Sequence, residues 1–446
     1  MRNHDGKFKK NGFLAAVLIL AFFVFHAGAG ASRISELKNQ IRQRSNQIAE
    51  IEKDIKKYRR QIDAVTGKKN TLKNELYRLE LNARALNSSI YLTQKKIEES
   101  ILNIEKLNIE IGGKTDDISQ RKKIMGEIIR KMNELESRSL VEISLANDNF
   151  SDFFGDLEKM KNVQKNIKDN LSELRRARTA LNKKKEQEQA EKKKQERLRA
   201  QLLDQKYLIN LNKAAKSKLL RETKNKEANY RKLLKDKLAK KEAFERELAE
   251  MESQLRIVID PNSIPPTGSG VLKWPFSDEY MQNCKSYKSA LGNIYCITQY
   301  FGNTKFATKN SQIYNGGGHT GLDLRASFGT RVRAASAGIV EGVGNTDNIK
   351  GCYSYGKWIL LRHNNGLSTL YAHLSKIKVE KGESVSSGAV IGYSGQTGYA
   401  TGPHLHFTVY ATQGVKITKF ERSINCKNAY IPIADKKAYL NPLSYL

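Results

Sequence analysis

From Ile34 onward an apolar residue returns at every seventh position. Ile34, Ile41, Ile48, Ile55 and Ile62 share one heptad position, and Leu76, Ile90, Ile97, Ile104, Ile111, Ile118, Met125 and Met132 continue it, with Lys69 and Ala83 as exceptions. A companion position carries Leu37, Ile51, Tyr58, Val65, Leu72, Leu79, Leu86, Leu107, Ile128 and Leu135. A sustained 3.5-residue period with charged flanks predicts a supercoiled helix. About a hundred such residues, at ~1.5 Å each, would reach roughly 150 Å, too long for one helix on a globular core. The pattern leaves the partner open: a returning arm of the same chain or a second chain.

The beat stops at Ala146-Asn-Asp-Asn-Phe-Ser-Asp-Phe-Phe-Gly155. Its turn residues predict a break near 146–156 where the chain folds back, with Phe150, Phe153 and Phe154 packing over the helices. From 161 to 256 the sequence is helical again and rich in Lys, Glu and Gln. Apolar residues return at Leu198, Leu202, Leu208, Leu219, Leu233, Phe244, Leu248, Met251 and Leu255, which fits the second arm of an antiparallel hairpin. Residues 257–270, with Asp260-Pro261 and Ile264-Pro-Pro-Thr-Gly-Ser-Gly270, read as a linker. Beyond it the period changes to two. Strands at 294–300, 321–325, 331–343, 357–363, 368–373, 389–393 and 404–410 alternate with Gly-containing turns and predict an all-β domain over 271–446.

The charge and the N-terminus narrow the setting. The chain carries a formal charge of +31, of which 271–446 contributes +11. Such a surface suits nucleic acid, anionic lipid or an anionic wall polymer equally. Arg2, Lys7, Lys9 and Lys10 precede an apolar run from Phe13 to Phe25, and Ala27-Gly-Ala-Gly-Ala31 follows. That layout is an export signal over 1–31 with cleavage after Ala29 or Ala31; an uncleaved inner-membrane anchor is the alternative. Either places the rest in the periplasm or cell envelope and argues against nucleic acid as partner. All four cysteines, Cys284, Cys296, Cys352 and Cys426, lie in the β region. An even number in an exported domain suggests disulfides, with 284–296 and 352–426 the preferred pairing of three.

Of seven histidines, four fall in three short motifs: His319-Thr-Gly-Leu-Asp323, Tyr371-Ala-His373-Leu374 and Gly402-Pro-His404-Leu-His406-Phe407. Alternation along a strand puts His404 and His406 on one face, with Leu405 and Phe407 on the other. A hydrolytic zinc site needs three protein ligands and one open position. His319, Asp323 and His406 can supply two imidazole nitrogens and a carboxylate oxygen. His404 and His373 remain to orient water, shuttle a proton and meet developing charge. His363 precedes an Asn-Asn-Gly turn and reads as a strand-end residue, not a ligand.

These motifs, with Trp274-Pro275, Phe301-Gly302, Gly329-Thr-x-Val332 and Thr401-Gly-Pro-His-Leu-His406, resemble the lysostaphin/LytM-type zinc metallopeptidases over about 272–446. The resemblance implies an open antiparallel sheet, one Zn2+ per β domain held by His319, Asp323 and His406, and catalytic roles for His373 and His404. It implies peptidoglycan cross-links as substrate, in wall remodelling or cell separation. A signal, a long coiled coil and then this domain is similar to the murein hydrolase activator (EnvC-like) architecture. That likeness implies a membrane-bound division or regulatory complex reached through the coiled coil. It also keeps an alternative open, a non-catalytic activator of a wall amidase. Thr408 departs from the pattern, standing where an acidic residue is common.

Overall fold

In the computed structural model the described residues are 13–66, 70–136, 150–253, 255, 259–283, 296–303, 318–400, 402–421 and 423–446. The N-terminal half is built of long helices: α1 (Phe13–Thr66), α2 (Leu72–Glu136), α3 (Phe150–Thr223) and α4 (Glu227–Ser253). A short α5 (Asp278–Asn283) precedes the strands. Among the described residues no helix is long and apolar enough to cross a membrane.

The first arm is not one helix, as the heptads predict. It reverses between Thr66 and Leu72, where Thr71 Oγ1 accepts from the backbone N–H of Asn74 and caps α2. The predicted break at 146–156 also shifts. Phe150–Gly155 already belong to α3, and the rest of that motif lies outside the described residues.

The chain divides into two compact units, residues 1–53 with 90–203, and residues 54–89 with 204–446. In the first, the helices run antiparallel. Arg33, Arg44 and Glu52 on α1 meet Glu105, Glu98 and Lys96 on α2, while Glu110 and Arg121 on α2 meet Lys184 and Glu173 on α3. These half-exposed pairs set register more than stability. Heptad residues Leu37, Ile48, Leu107, Ile118 and Met125 are buried along the seam.

In the second unit the helix ends pack on the β domain. Asp204 on α3 is buried and takes Lys378 Nζ at 2.7 Å, Tyr393 Oη at 2.7 Å and Lys376 Nζ. The three bonds outweigh the burial that would raise its pKa and hold it below the usual carboxylate range. Lys224 and Asn225 adopt left-handed backbone (φ 49° and 55°), turning α3 into α4. The predicted helix over 161–256 ran straight through this turn, because neither residue is a strong breaker.

The main sheet is antiparallel, in the order β1 (Ile297–Gln299), β2 (Leu322–Arg325), β9 (His404–Ala411), β6 (Leu367–Ile377), β5 (Lys357–His363), β4 (Gly338–Asn345) and β7 (Ser384–Val385). Strand β8 (Val390–Ser394) pairs β6 and β3 (Arg331–Arg333), and β12 (Tyr439–Leu440) pairs β9. A separate hairpin joins β10 (Val415–Phe420) to β11 (Ala429–Ala434). Strand β9 is central because Leu405, Phe407 and Val409 are buried in one core layer. Tyr410 and Ala411 belong to a second layer with Phe420, Ile431 and, from α4, Phe244 and Leu248. The predicted strand 331–343 is two strands, interrupted at 334–337.

Cys352 and Cys426 form a disulfide across a sequence separation of 74. Cys296 is also disulfide-bonded, and Cys284 lies outside the described residues.

Where α4 ends, Glu252 is buried and accepts a hydrogen bond from Tyr439 Oη. Burial pushes its carboxyl up to about 7, reinforced by Glu245 and only partly offset by Tyr439, the Ala434 backbone and Lys436. A raised carboxyl favours folding fully below its unfolded pKa and loses that contribution as pH rises through the folded value. Glu252→Gln is therefore expected to stabilise the chain by about 2–3 kcal/mol at pH 8 and by little at pH 4. Denaturant titrations at the two pH values read this, and an equal effect at both would exclude the ionisation as its cause.

Candidate metal centre

Strands β2 and β9 pair so that Asp323 lies directly opposite His406. His319 reaches the same place from outside the strand that carries Asp323. It precedes β2 and is held by an isolated bridge to Gly302. Gly321 makes that approach feasible, because a Cβ there would come within 2.6 Å of Phe407 O and Thr408 Oγ1.

Three donor atoms converge. His406 Nδ1 lies 2.8 Å and His319 Nε2 3.3 Å from Asp323 Oδ1, and the two nitrogens are 3.2 Å apart. Ligands held about 2.0–2.1 Å from a tetrahedral zinc lie roughly 3.3 Å from one another, so the triangle has the size that ion requires. Proton bookkeeping agrees. His319 Nδ1–H donates to Tyr300 O at 3.0 Å, leaving Nε2 as a lone pair. His406 Nε2 is 3.0 Å from Thr408 Oγ1, and with its proton directed there Nδ1 is bare. Thr408, standing where an acidic residue is common, is the group that takes this hydrogen bond. Two imidazole lone pairs and a carboxylate facing each other in a buried place fit a cation.

Strand β9 also carries His404, whose Nδ1–H donates to Gly402 O at 2.9 Å and whose Nε2 lies 3.9 Å from Asp323 Oδ1. From β6, His373 brings its ring centroid within 4.6 Å of His404 and 6.0 Å of His406. Its Nδ1–H donates to Thr397 O at 2.9 Å. His373 sits at φ 61°, a conformation that costs a non-glycine residue about 1 kcal/mol or more, at an irregularity where its N–H bonds Tyr355 O. All five residues singled out in the sequence are brought together. His363 is elsewhere, buried between Ala337 O and Thr369 Oγ1.

The electrostatics are those of a closed cluster. Burial opposes the charge of Asp323, but the neighbouring His319 and His404 hold its carboxyl well below the usual range. Burial also works against a charged His319, and Asp323 outweighs it to raise the imidazole. His373 is pushed well below its ordinary value by burial and then by His404 and His406. Burial lowers His406 despite Asp323.

Helix α4 closes the site. Phe244 packs edge-on against Tyr355 and Phe420, at ring distances of 6.3 and 5.6 Å, and Tyr355 in turn lies 6.2 Å from the His406 ring. Glu247 accepts from Ser423 and from the Ile424 backbone. Glu245 of the same helix is set within electrostatic reach of His319 and Asp323, its carboxyl raised by burial, with Lys241 and His319 opposing. His319, His373 and His406 keep no more than 8% of their surface accessible. The coiled-coil periodicity gave no sign that α4 docks here.

Residues 317–418 match the model of Peptidase family M23. A DD-carboxypeptidase/endopeptidase of Neisseria meningitidis is 47% identical over 89 residues, covering 20% of this chain and 19% of that protein. A glycyl-glycine endopeptidase of Staphylococcus capitis is 46% identical over 94 residues, covering 21% of this chain and 25% of that protein. A peptidoglycan DD-endopeptidase of Vibrio cholerae is 38% identical over 117 residues, 26% and 24% of the two chains. The chain spans about a quarter or less of the length of these relatives. The segment that matches carries the whole His-Asp-His cluster, so the C-terminal region of this chain is a peptidase family M23 domain of the lysostaphin/LytM type.

Proposed function

We propose that this chain is an exported zinc metalloendopeptidase that hydrolyses the peptide cross-links of peptidoglycan during wall remodelling or cell separation. One observation carries the reading: the three donor atoms of His319, Asp323 and His406 meet at zinc-sized separations with His373 and His404 beside them. The names of the relatives support peptidoglycan as the substrate, and the basic surface suits an anionic wall.

Zinc held by the three atoms would supply a Lewis acid that polarises the scissile carbonyl and acidifies water. The chain's own residues do the rest. His404, its Nδ1–H fixed on Gly402 O, presents Nε2 to accept the proton of the attacking water. That proton is the one His404 passes on to the leaving amine, while His373, fixed beside it through Thr397 O with Nε2 bare, offers a second acceptor in the same proton relay. The left-handed backbone at His373 sets that ring in place before substrate arrives.

In this reading the docked α4 is the covered form, and the helical region positions the domain at the envelope and uncovers it in a membrane-bound complex. The covering helix also favours the second reading, an activator of another wall hydrolase whose partner binds once α4 moves. Purified sacculi distinguish the two. The full chain with α4 loosened should release soluble peptide fragments with zinc and none with a chelator. Release that is indifferent to the chelator, or absent with zinc present, would sink the peptidase.

A further inference from the structure

Three lysines of α4 gather on two tyrosines beside the metal centre. Lys241 Nζ lies 4.9 Å from the Tyr399 ring centroid, and Lys237 and Lys240 lie 5.5 and 5.8 Å from that of Tyr353. Like charges spaced three and four apart on one helix repel, so their convergence needs an attractor. The π faces of the tyrosines supply one. Asp236 also bonds Lys240 at 2.9 Å, and Asp347 and Glu222 act on Lys237, whose ammonium burial nonetheless disfavours.

The tyrosines are linked to the site through the backbone. The Tyr399 N–H donates to Ser354 O at 3.0 Å, which ties the loop of Tyr399 to that of Tyr353. Two residues before Tyr399, Thr397 O holds His373. An ammonium resting on these rings is therefore registered against the proton-handling histidine.

We propose that Tyr353 and Tyr399 form a subsite for a primary ammonium group on the substrate peptide, and that the lysines of α4 occupy it while the site is covered. This rests on the peptidase reading and deepens it: the substrate is a wall peptide that carries a free amine near the scissile bond. The helix then excludes substrate by presenting the same chemical group to the same rings.

The test uses sacculi, untreated or N-acetylated with acetic anhydride. Two readouts are taken on the Lys237→Ala/Lys241→Ala full chain: co-sedimentation of the metal-free form, and fragment release by the zinc-loaded form. Acetylation removes ammonium groups and leaves the wall more anionic, which would strengthen non-specific binding to a chain of charge +31. The subsite predicts the opposite sign, with release about tenfold faster from the untreated wall. Adding Tyr399→Phe should keep that ratio, since the π face remains. Adding Tyr399→Leu, or Tyr353→Leu if the first fails to fold, should bring it towards one. Equal or greater binding and release with acetylated wall would overturn the subsite. No fragments from either wall, with co-sedimentation still favouring untreated sacculi, would overturn the peptidase reading and leave the subsite standing.

Discussion

His319→Ala should abolish fragment release from sacculi, with a fall of at least about 10³-fold, and reduce bound zinc from one per chain to near zero. The reason is the donor count. Removing one imidazole leaves His406 Nδ1 and Asp323 Oδ1, two ligands where a hydrolytic zinc needs three. The fold should survive, because the hydrogen bond to Tyr300 O that the substitution gives up is worth about 1 kcal/mol and the strands that carry Asp323 and His406 pair through their backbones. Metal analysis and a melting curve taken together separate loss of the centre from loss of structure. Undiminished hydrolysis by a variant that keeps its melting temperature would dismiss the assigned centre.

Phe244→Ala should do the reverse and raise fragment release by the full chain at least tenfold. Phe244 is 2% exposed and wedged between Tyr355 and Phe420. Truncating such a side chain costs about 3–5 kcal/mol, enough to shift a docked–undocked equilibrium by a factor of roughly 10²–10³. Because α4 covers the histidines, undocking exposes them. Hydrogen exchange over Glu227–Ser253 should quicken in parallel. Faster exchange without faster hydrolysis would mean that the docked helix does not hold the enzyme back.

Much of this was legible in the residues, and what was not has physical causes. The His-x-His pair on β9 follows from strand alternation, and the core positions of Leu405 and Phe407 follow with it. The heptads announced helices of coiled-coil type but concealed the reversal between α1 and α2, because a period records which face is buried and not which helix buries it. The same blindness hid α4. Phe244 and Leu248 read as seam residues, whereas they fill the second core layer of the β domain. The short strands β7 and β12 and the hairpin β10–β11 escaped because they draw their order from tertiary pairing more than from alternation. His319 shares the site with Asp323 through a bridge to Gly302 and the bare backbone of Gly321, neither of which its spacing from Asp323 reveals.

A reductant acting on Cys352–Cys426 would untie two surfaces together. One thiol adjoins Tyr353, and the other lies at the Ser423–Ile424 corner that grips Glu247 of α4. A chain with both thiols free would thus lack the tie that joins the Tyr353 loop to the corner that seats α4.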